Sequence, residues 1–416
     1  MRETERGSAS RPALSRLISC SPQRFADEFW GDRPLVSTQT QLEQDFSDLF
    51  GLEAVDELVA DRALRTPFVR MAKEGVVLPP AAFTSGGGYG AEIADQLDPE
   101  KVLSAFADGS TLVLQGLHRT WPALADFTRQ LNADLGFPCQ VNAYVTPASS
   151  RGFDPHYDVH DVFVIQIYGE KAWTIHEPVY PDPLSSQPWS QRSSAVAAQA
   201  QGAPYLEHTF APGDVLYLPR GWIHSATALG DTSIHLTIGI APHTRYEIVA
   251  QALERMKTDA TLRKSLPMPL ATGTTPEAED RTSLIERTLA HVASQLGDEE
   301  FVQAVSDRFG EAGAVDIVPQ PAPVRPLARI AAAAQLNNGS MVAWRSGLHA
   351  ELGVGDGSVR IVLASKSVSL PIEARDAVEA LHRGASCPAD GLPGLDAASS
   401  LVVARRLIRE AVLVVV

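Results

Sequence analysis

Between residues 140 and 242 the chain breaks into short runs: QVNAYVTP, HYDVHDVFVIQIYG, KAWTIHEP, PYLEHTFAPGDVLYLP and IHLTIGIAP. Each is apolar or alternating, and each is bounded by glycine or proline, so strands form where a helix of useful length cannot. Their regular spacing predicts an all-β jelly roll or barrel. The flanks have a different period. Upstream, SPQRFADEFWGDRPLVS offers a serine cap, an amphipathic stretch and a stop at Pro34. PEKVLSAFADGSTLVLQGLHRTWPALADFTRQLNADLG then reads as helix, strand (TLVLQGL) and helix. Downstream, RYEIVAQALERM and RTSLIERTLAHVASQLGDEEFVQAVSDRF have apolar faces at helical spacing. VPQPAPVRP, residues 318–326, reads as a proline-rich linker. It leads to a small α+β unit ending on a helix and a closing strand in DAASSLVVARRLIREAVLVVV. The expected organisation is therefore α+β: 1–135, a helical flank and the start of the barrel; 136–243, the jelly roll; 244–317, a helical module; 318–416, a C-terminal domain.

With 44% apolar and 20% charged residues, a chain of 416 residues can bury a large core without covalent staples. Cys20, Cys139 and Cys387 are far apart and form no CxxC pair, which excludes a disulfide framework and a thiolate zinc site. The N-terminal residues lack the apolar run of a secretory signal, and no run reaches the ~18 apolar residues of a membrane span. A cytoplasmic protein with no membrane partner is expected. Net charge is −15, and residues 316–416 carry +1, so the preceding part holds −16. That balance argues against strong nucleic-acid binding and favours a basic partner.

The chemistry resides in the barrel. His156 and Asp158 are two apart, and on a strand both side chains leave by the same face. His224 follows the turn LPRGW on a later strand, which barrel closure can bring beside the first pair. Two imidazoles and one carboxylate on one face of an octahedral metal leave positions open, the arrangement of non-haem Fe(II) oxygenases. Such a site takes a 2-oxo acid and dioxygen as cosubstrates. Lys171, just past a turn at Gly169–Glu170, supplies a cation for the oxo acid's far carboxylate. Tyr144, Asn142 and Thr237 on flanking strands are placed to complete the pocket. His160 shares the face of His156 and Asp158, as a rival ligand or a group behind the ligands. His235 shares a face with Thr237, while His176, His208 and His243 read as solvated or core residues. Trp173 and Trp222 read as core. TSGGGYG, residues 84–90, lacks the ending of a phosphate loop and reads as a surface loop, or as a lid.

The segment from Asn142 to Trp173, with PGDVLYLPRGWIHSA and IHLTI, resembles the cupin-like Jumonji-C (JmjC) ribosomal oxygenases, which are Fe(II)- and 2-oxoglutarate-dependent protein hydroxylases. RFADEFWGDRPLVS and GSTLVLQGLHRTWPALADF resemble that family's segments ahead of the barrel. The helices after 244 resemble its dimerisation module, and the chain's end its winged-helix module. The resemblance implies a double-stranded β-helix core, iron held by His156, Asp158 and His224, and 2-oxoglutarate held by Lys171 with Asn142, Tyr144 and Thr237. Gly239 departs from the small hydroxylated residue of some relatives, which removes one cosubstrate hydrogen bond. Lysine at 171 resembles members that hydroxylate histidine, whereas arginine-hydroxylating bacterial members tend to have arginine there. The expected activity is hydroxylation of a side-chain carbon, histidine or arginine, in a ribosomal protein or other peptide, by a homodimer. Two further readings are a tailoring oxygenase acting on a small metabolite or peptide natural product, and a non-enzymatic cupin binding module.

Overall fold

The computed structural model describes residues 12–148, 150, 153–266, 281–303, 305–306, 324–355, 357–363 and 365–416. The chain divides into two compact units. The first comprises Met1–Pro242 with Pro319–Ala328 and Arg345–Leu348, and the second the remainder.

In the first unit the strands run β1 (Leu35–Ser37), β2 (Val69–Lys73), β3 (Val76–Val77), β4 (Thr84–Ser85), β5 (Gln96–Leu97), β6 (Thr111–Leu114), β7 (Cys139–Thr146), β8 (Asp161–His176), β9 (Leu206–Phe210), β10 (Val215–Leu218) and β11 (Ile223–Ile240). All but β4 and β5, which pair with each other, join one nine-stranded sheet in the order β1-β10-β8-β11-β7-β6-β2-β3, with β9 added beside β8. β8 and β11 are antiparallel along nearly their whole length, from Asp161 opposite Ile240 to His176 opposite Ile223. Their outer neighbours change along the way. Residues 162–165 of β8 pair with β10, whereas 171–175 pair with β9. Residues 233–240 of β11 pair with β7. Two long bent strands thus serve both halves of the jelly roll.

The bend has a local cause. The register of β8 against β11 shifts between Leu229 and His235, and Gly169 lies there with φ +63°. A Cβ at 169 would collide with the Thr232 carbonyl oxygen, so only glycine fits. The turn expected at Gly169–Glu170 is therefore a bulge inside a continuous strand, and Lys171 lies mid-strand. The strand expected over HYDVHD also fails to form. β8 begins at Asp161, and His156 makes only an isolated bridge ahead of it.

Alternation sorts the side chains. Val141, Ala143, Val145, Phe163, Ile165, Leu236 and Ile238 face a core shared with Phe25, Leu124, Phe127 and Leu131 of the helices Pro22–Glu28 and Pro122–Leu135. The intervening residues face the inside of the roll. Because β1, β2, β3 and β6 are strands of this sheet, the stretch before residue 135 is built into the barrel as well as flanking it. The Gly-rich 84–90 segment includes β4 and leaves Tyr89 fully exposed.

In the second unit, helix Arg245–Met256 starts with a capping box in which Thr244 and Glu247 satisfy each other's backbone N–H. Helix Arg281–Leu296 follows. Beyond them stand two three-stranded antiparallel sheets. One is centred on Met341–Trp344 and includes the closing strand Leu413–Val415. The other is formed by Glu351–Gly355, Ser358–Leu363 and Lys366–Pro371. Helices Arg375–His382 and Ala397–Arg409 complete the unit. The expected linker lies, up to residue 323, outside the described residues.

Candidate metal centre and pocket

Backbone pairing sets the two histidines side by side. The His156 N–H donates to the His224 carbonyl (3.1 Å) and the His224 N–H to that of His156 (2.8 Å). Their ring centroids are 4.4 Å apart. Asp158 follows in the loop, held by the Gly221 N–H donating to its carbonyl oxygen at 3.0 Å. Gly221 has φ +87°, and a Cβ there would lie 2.8 Å from the Tyr180 carbonyl oxygen, so the turn LPRGW needs glycine. The loop and the turn are clamped once more. Buried Asp161 accepts from the Arg220 N–H and the Tyr217 hydroxyl, each at 2.9 Å. The result is a His156, Asp158, His224 group whose ligand atoms all lie within 4.8 Å of one another. His224 Nε2 is 3.9 Å from Asp158 Oδ2.

The protonation states suit a cation. His156 Nδ1 lies 2.7 Å from the Asp154 carbonyl and His224 Nδ1 3.1 Å from that of Trp222. Both Nδ1 atoms therefore carry the proton, and both Nε2 lone pairs are free for a metal. Burial, and then the neighbouring His156, push the His224 imidazole down to about 4, so it is neutral. Burial alone would raise the Asp158 carboxyl, but His224, His160, His156 and Arg70 together hold it below its ordinary value. The donor set fits a divalent transition metal, and the three side chains that would hold it line a cavity of about 240 Å³.

Lys171 lines the same cavity. It is 4% exposed, donates to Thr146 Oγ1 at 3.1 Å, and stands 3.5 Å from His235 Nδ1. Burial lowers its ammonium to about 7. Burial, with Lys171 beside it, also drives His235 well below the ordinary imidazole value, which leaves that ring a neutral partner. Tyr144 stacks on His235, centroids 4.9 Å apart and planes 2° from parallel. Tyr144 and Thr237 both line the cavity. Asn142 does not: it shares their strand face, but its Oδ1 accepts from the Gly116 N–H at 3.0 Å. His160 is outside the ligand group. Its imidazole lies over Gly239, in the space any side chain at 239 would need, so the departure at 239 and the histidine at 160 go together.

Trp173 is core and wall at once, stacked on His224 at 5.8 Å and facing the cavity. Trp222 belongs to the apolar cluster, its Nε1 donating to the Asp32 carbonyl at 3.2 Å. His208 and His243 stand near Asp214 and Glu247, and His176 is buried. No residue of 84–90 lines the cavity. Arg70, Thr111, Thr146, Phe153 and Trp189 do line it and were missed. Thr111 opens the strand already read in TLVLQGL, whereas the strand VRMAK that carries Arg70 was not read.

Residues 119–248 match the JmjC domain family. Ribosomal oxygenase 1 of Gallus gallus is 28% identical over 317 residues, 73% of this chain and 50% of that protein. The bifunctional lysine-specific demethylase and histidyl-hydroxylase NO66 of Drosophila persimilis is 36% identical over 143 residues, 32% of this chain and 20% of that one. The chain thus spans about half the length of the curated relatives it matches over most of its own sequence. Among solved structures, Escherichia coli ribosomal oxygenase YcfD superposes with a TM-score of 0.53 at 16% identity, over 96% of this chain and 99% of that one. The same protein in complex with cobalt and 2-oxoglutarate gives 0.51. These similarities establish a JmjC cupin-type fold.

Proposed function

We propose that this JmjC-domain chain is an Fe(II)- and 2-oxoglutarate-dependent oxygenase that hydroxylates a side-chain carbon, of histidine or arginine, in a ribosomal protein or other peptide. The observation that carries the reading is the convergence of His156, Asp158 and His224 in a pocket that a buried lysine also lines. Iron(II) bound there supplies dioxygen activation coupled to oxidative decarboxylation of 2-oxoglutarate. The chain's own residues do the rest. Lys171 offers an ammonium with no carboxylate partner among the described residues, suited to the far carboxylate of the cosubstrate. Thr146 and His235 orient that ammonium, and Tyr144 and Thr237 offer hydroxyls along the wall. Asn142 acts from behind, fixing the Gly116 backbone beside β7. Trp173, Val162 and Val164 keep that end dry, which strengthens each polar contact in it.

The cavity is smaller than the roughly 300–1,000 Å³ typical of sites that enclose a whole ligand of drug size. It suits the small cosubstrate and one inserted side chain, and so favours a polypeptide over a bulky metabolite. The acidic charge ahead of residue 316 complements a basic segment such as those of ribosomal proteins. The YcfD protein bound to cobalt and 2-oxoglutarate supports the cofactor assignment. The test is mass spectrometry of ribosomal proteins and peptides from a strain lacking the gene, before and after incubation with the purified protein, Fe(II) and 2-oxoglutarate. A peptide gaining one oxygen atom, dependent on 2-oxoglutarate, is expected. Consumption of 2-oxoglutarate unaffected by Asp158→Ala would overturn the reading.

A further inference from the structure

β2 carries a charge on its inward face. Val69 and Met71 point into the apolar core, so Arg70 and Ala72 point inside the roll, opposite Val113 and Thr111 of β6. Arg70 reaches the pocket wall, where its guanidinium lies 5.7 Å from the Phe153 ring centroid. Its Nε is buried and has no partner. The field of Arg70 is felt at Asp158, yet no carboxylate among the described residues lies within the 4.0 Å of an ion pair. A guanidinium has five donors, and Arg70 leaves its buried Nε without a partner beside the cavity it lines.

Its neighbours differ from those of Lys171. Lys171 contacts Thr146 and His235, whereas Arg70 stands with Tyr144 and Phe153, and Phe153 is in turn 5.9 Å from His156. Charge counting gives it a role. In a loaded site the charges of iron(II), Asp158, Lys171 and 2-oxoglutarate cancel, so Arg70 leaves a surplus positive charge. A cationic side chain entering such a site is repelled, and an oxygen acceptor is attracted.

On the basis of the oxygenase reading, we infer that Arg70 binds an oxygen of the polypeptide segment presented for oxidation, a backbone carbonyl or a side-chain amide or carboxylate. It thereby selects against arginine as the oxidised residue. Of the two targets proposed above, histidine remains.

The test uses the full chain with Fe(II) and 2-oxoglutarate, and, as probe, the pooled peptides of a strain lacking the gene. Oxidised residues are identified by mass spectrometry, and kcat/KM is then measured on the best peptide. Arg70→Gln is expected to lower kcat/KM about tenfold or more, Arg70→Lys to recover part of the loss, and 2-oxoglutarate affinity by calorimetry to stay within about twofold. Oxidation at arginine, or an unchanged kcat/KM in Arg70→Gln, overturns the inference. A parallel loss of 2-oxoglutarate affinity also overturns it, because Arg70 would then belong to the cosubstrate. No oxidised peptide despite slow 2-oxoglutarate consumption by the wild type rejects a polypeptide partner. Absence of any consumption rejects the oxygenase reading itself, a distinct result.

Discussion

Lys171 shows how one side chain couples cosubstrate binding to pH. Burial brings its ammonium to about 7, and binding a dicarboxylate requires the charged form. Below pH 7 the charge is already present. Above it, the incoming anion must draw a proton from solvent, so affinity for 2-oxoglutarate falls as pH rises, by up to roughly tenfold per unit. Calorimetry in buffers of different ionisation enthalpy should detect net proton uptake at pH 8 and little at pH 6. Lys171→Ala should raise the KM for 2-oxoglutarate and abolish the uptake; uptake that survives the substitution would assign the proton to another group. Lys171 was legible in the sequence through its place soon after the HxD pair, although it was read as lying just past a turn and not within a strand. Arg70 was not, because nothing local says which inward-facing strand residue reaches a cavity built from β2, β7 and a loop far along the chain.

At the level of elements, the recognisable parts were strands with alternating or apolar patterns, such as β7 and β10, and helices with caps. The HxD pair was read correctly as neighbours and wrongly as a strand, because period two holds equally for an extended loop pinned by one bridge. Gly169 was read as a turn, since a glycine between apolar runs looks alike whether the chain reverses or bulges. The distinction lies in Thr232, on a strand sixty-odd residues later, whose carbonyl excludes any Cβ at 169. Gly169→Ala should therefore destabilise the first unit by at least ~1–3 kcal/mol, measured by denaturant unfolding, whereas Gly230→Ala, with no atom within 4 Å of its Cβ, should cost less. Equal effects would mean that the positive φ values alone, and not the approach to Thr232, set the cost.

For the whole molecule, helix Arg245–Met256 leaves Tyr246 63%, Val249 53% and Leu253 52% exposed, and Arg281–Leu296 leaves Ile285 and Leu289 more than half exposed. Apolar faces of this kind mark association surfaces, and light scattering should return about twice the 44.7 kDa of one chain. Val249→Glu with Leu253→Glu should halve that mass; a monomeric wild type would contradict the assignment of these helices. No described helix is long and apolar enough to cross a membrane. The claim on which all else depends is a metal held by three side chains with room for a 2-oxo acid beside it. Anaerobic titration of Fe(II) into the protein with 2-oxoglutarate, followed by visible absorption, tests it most directly. A charge-transfer band saturating at one iron per chain and absent from Asp158→Ala is predicted; no band in the wild type, or one that persists in Asp158→Ala, would contradict it.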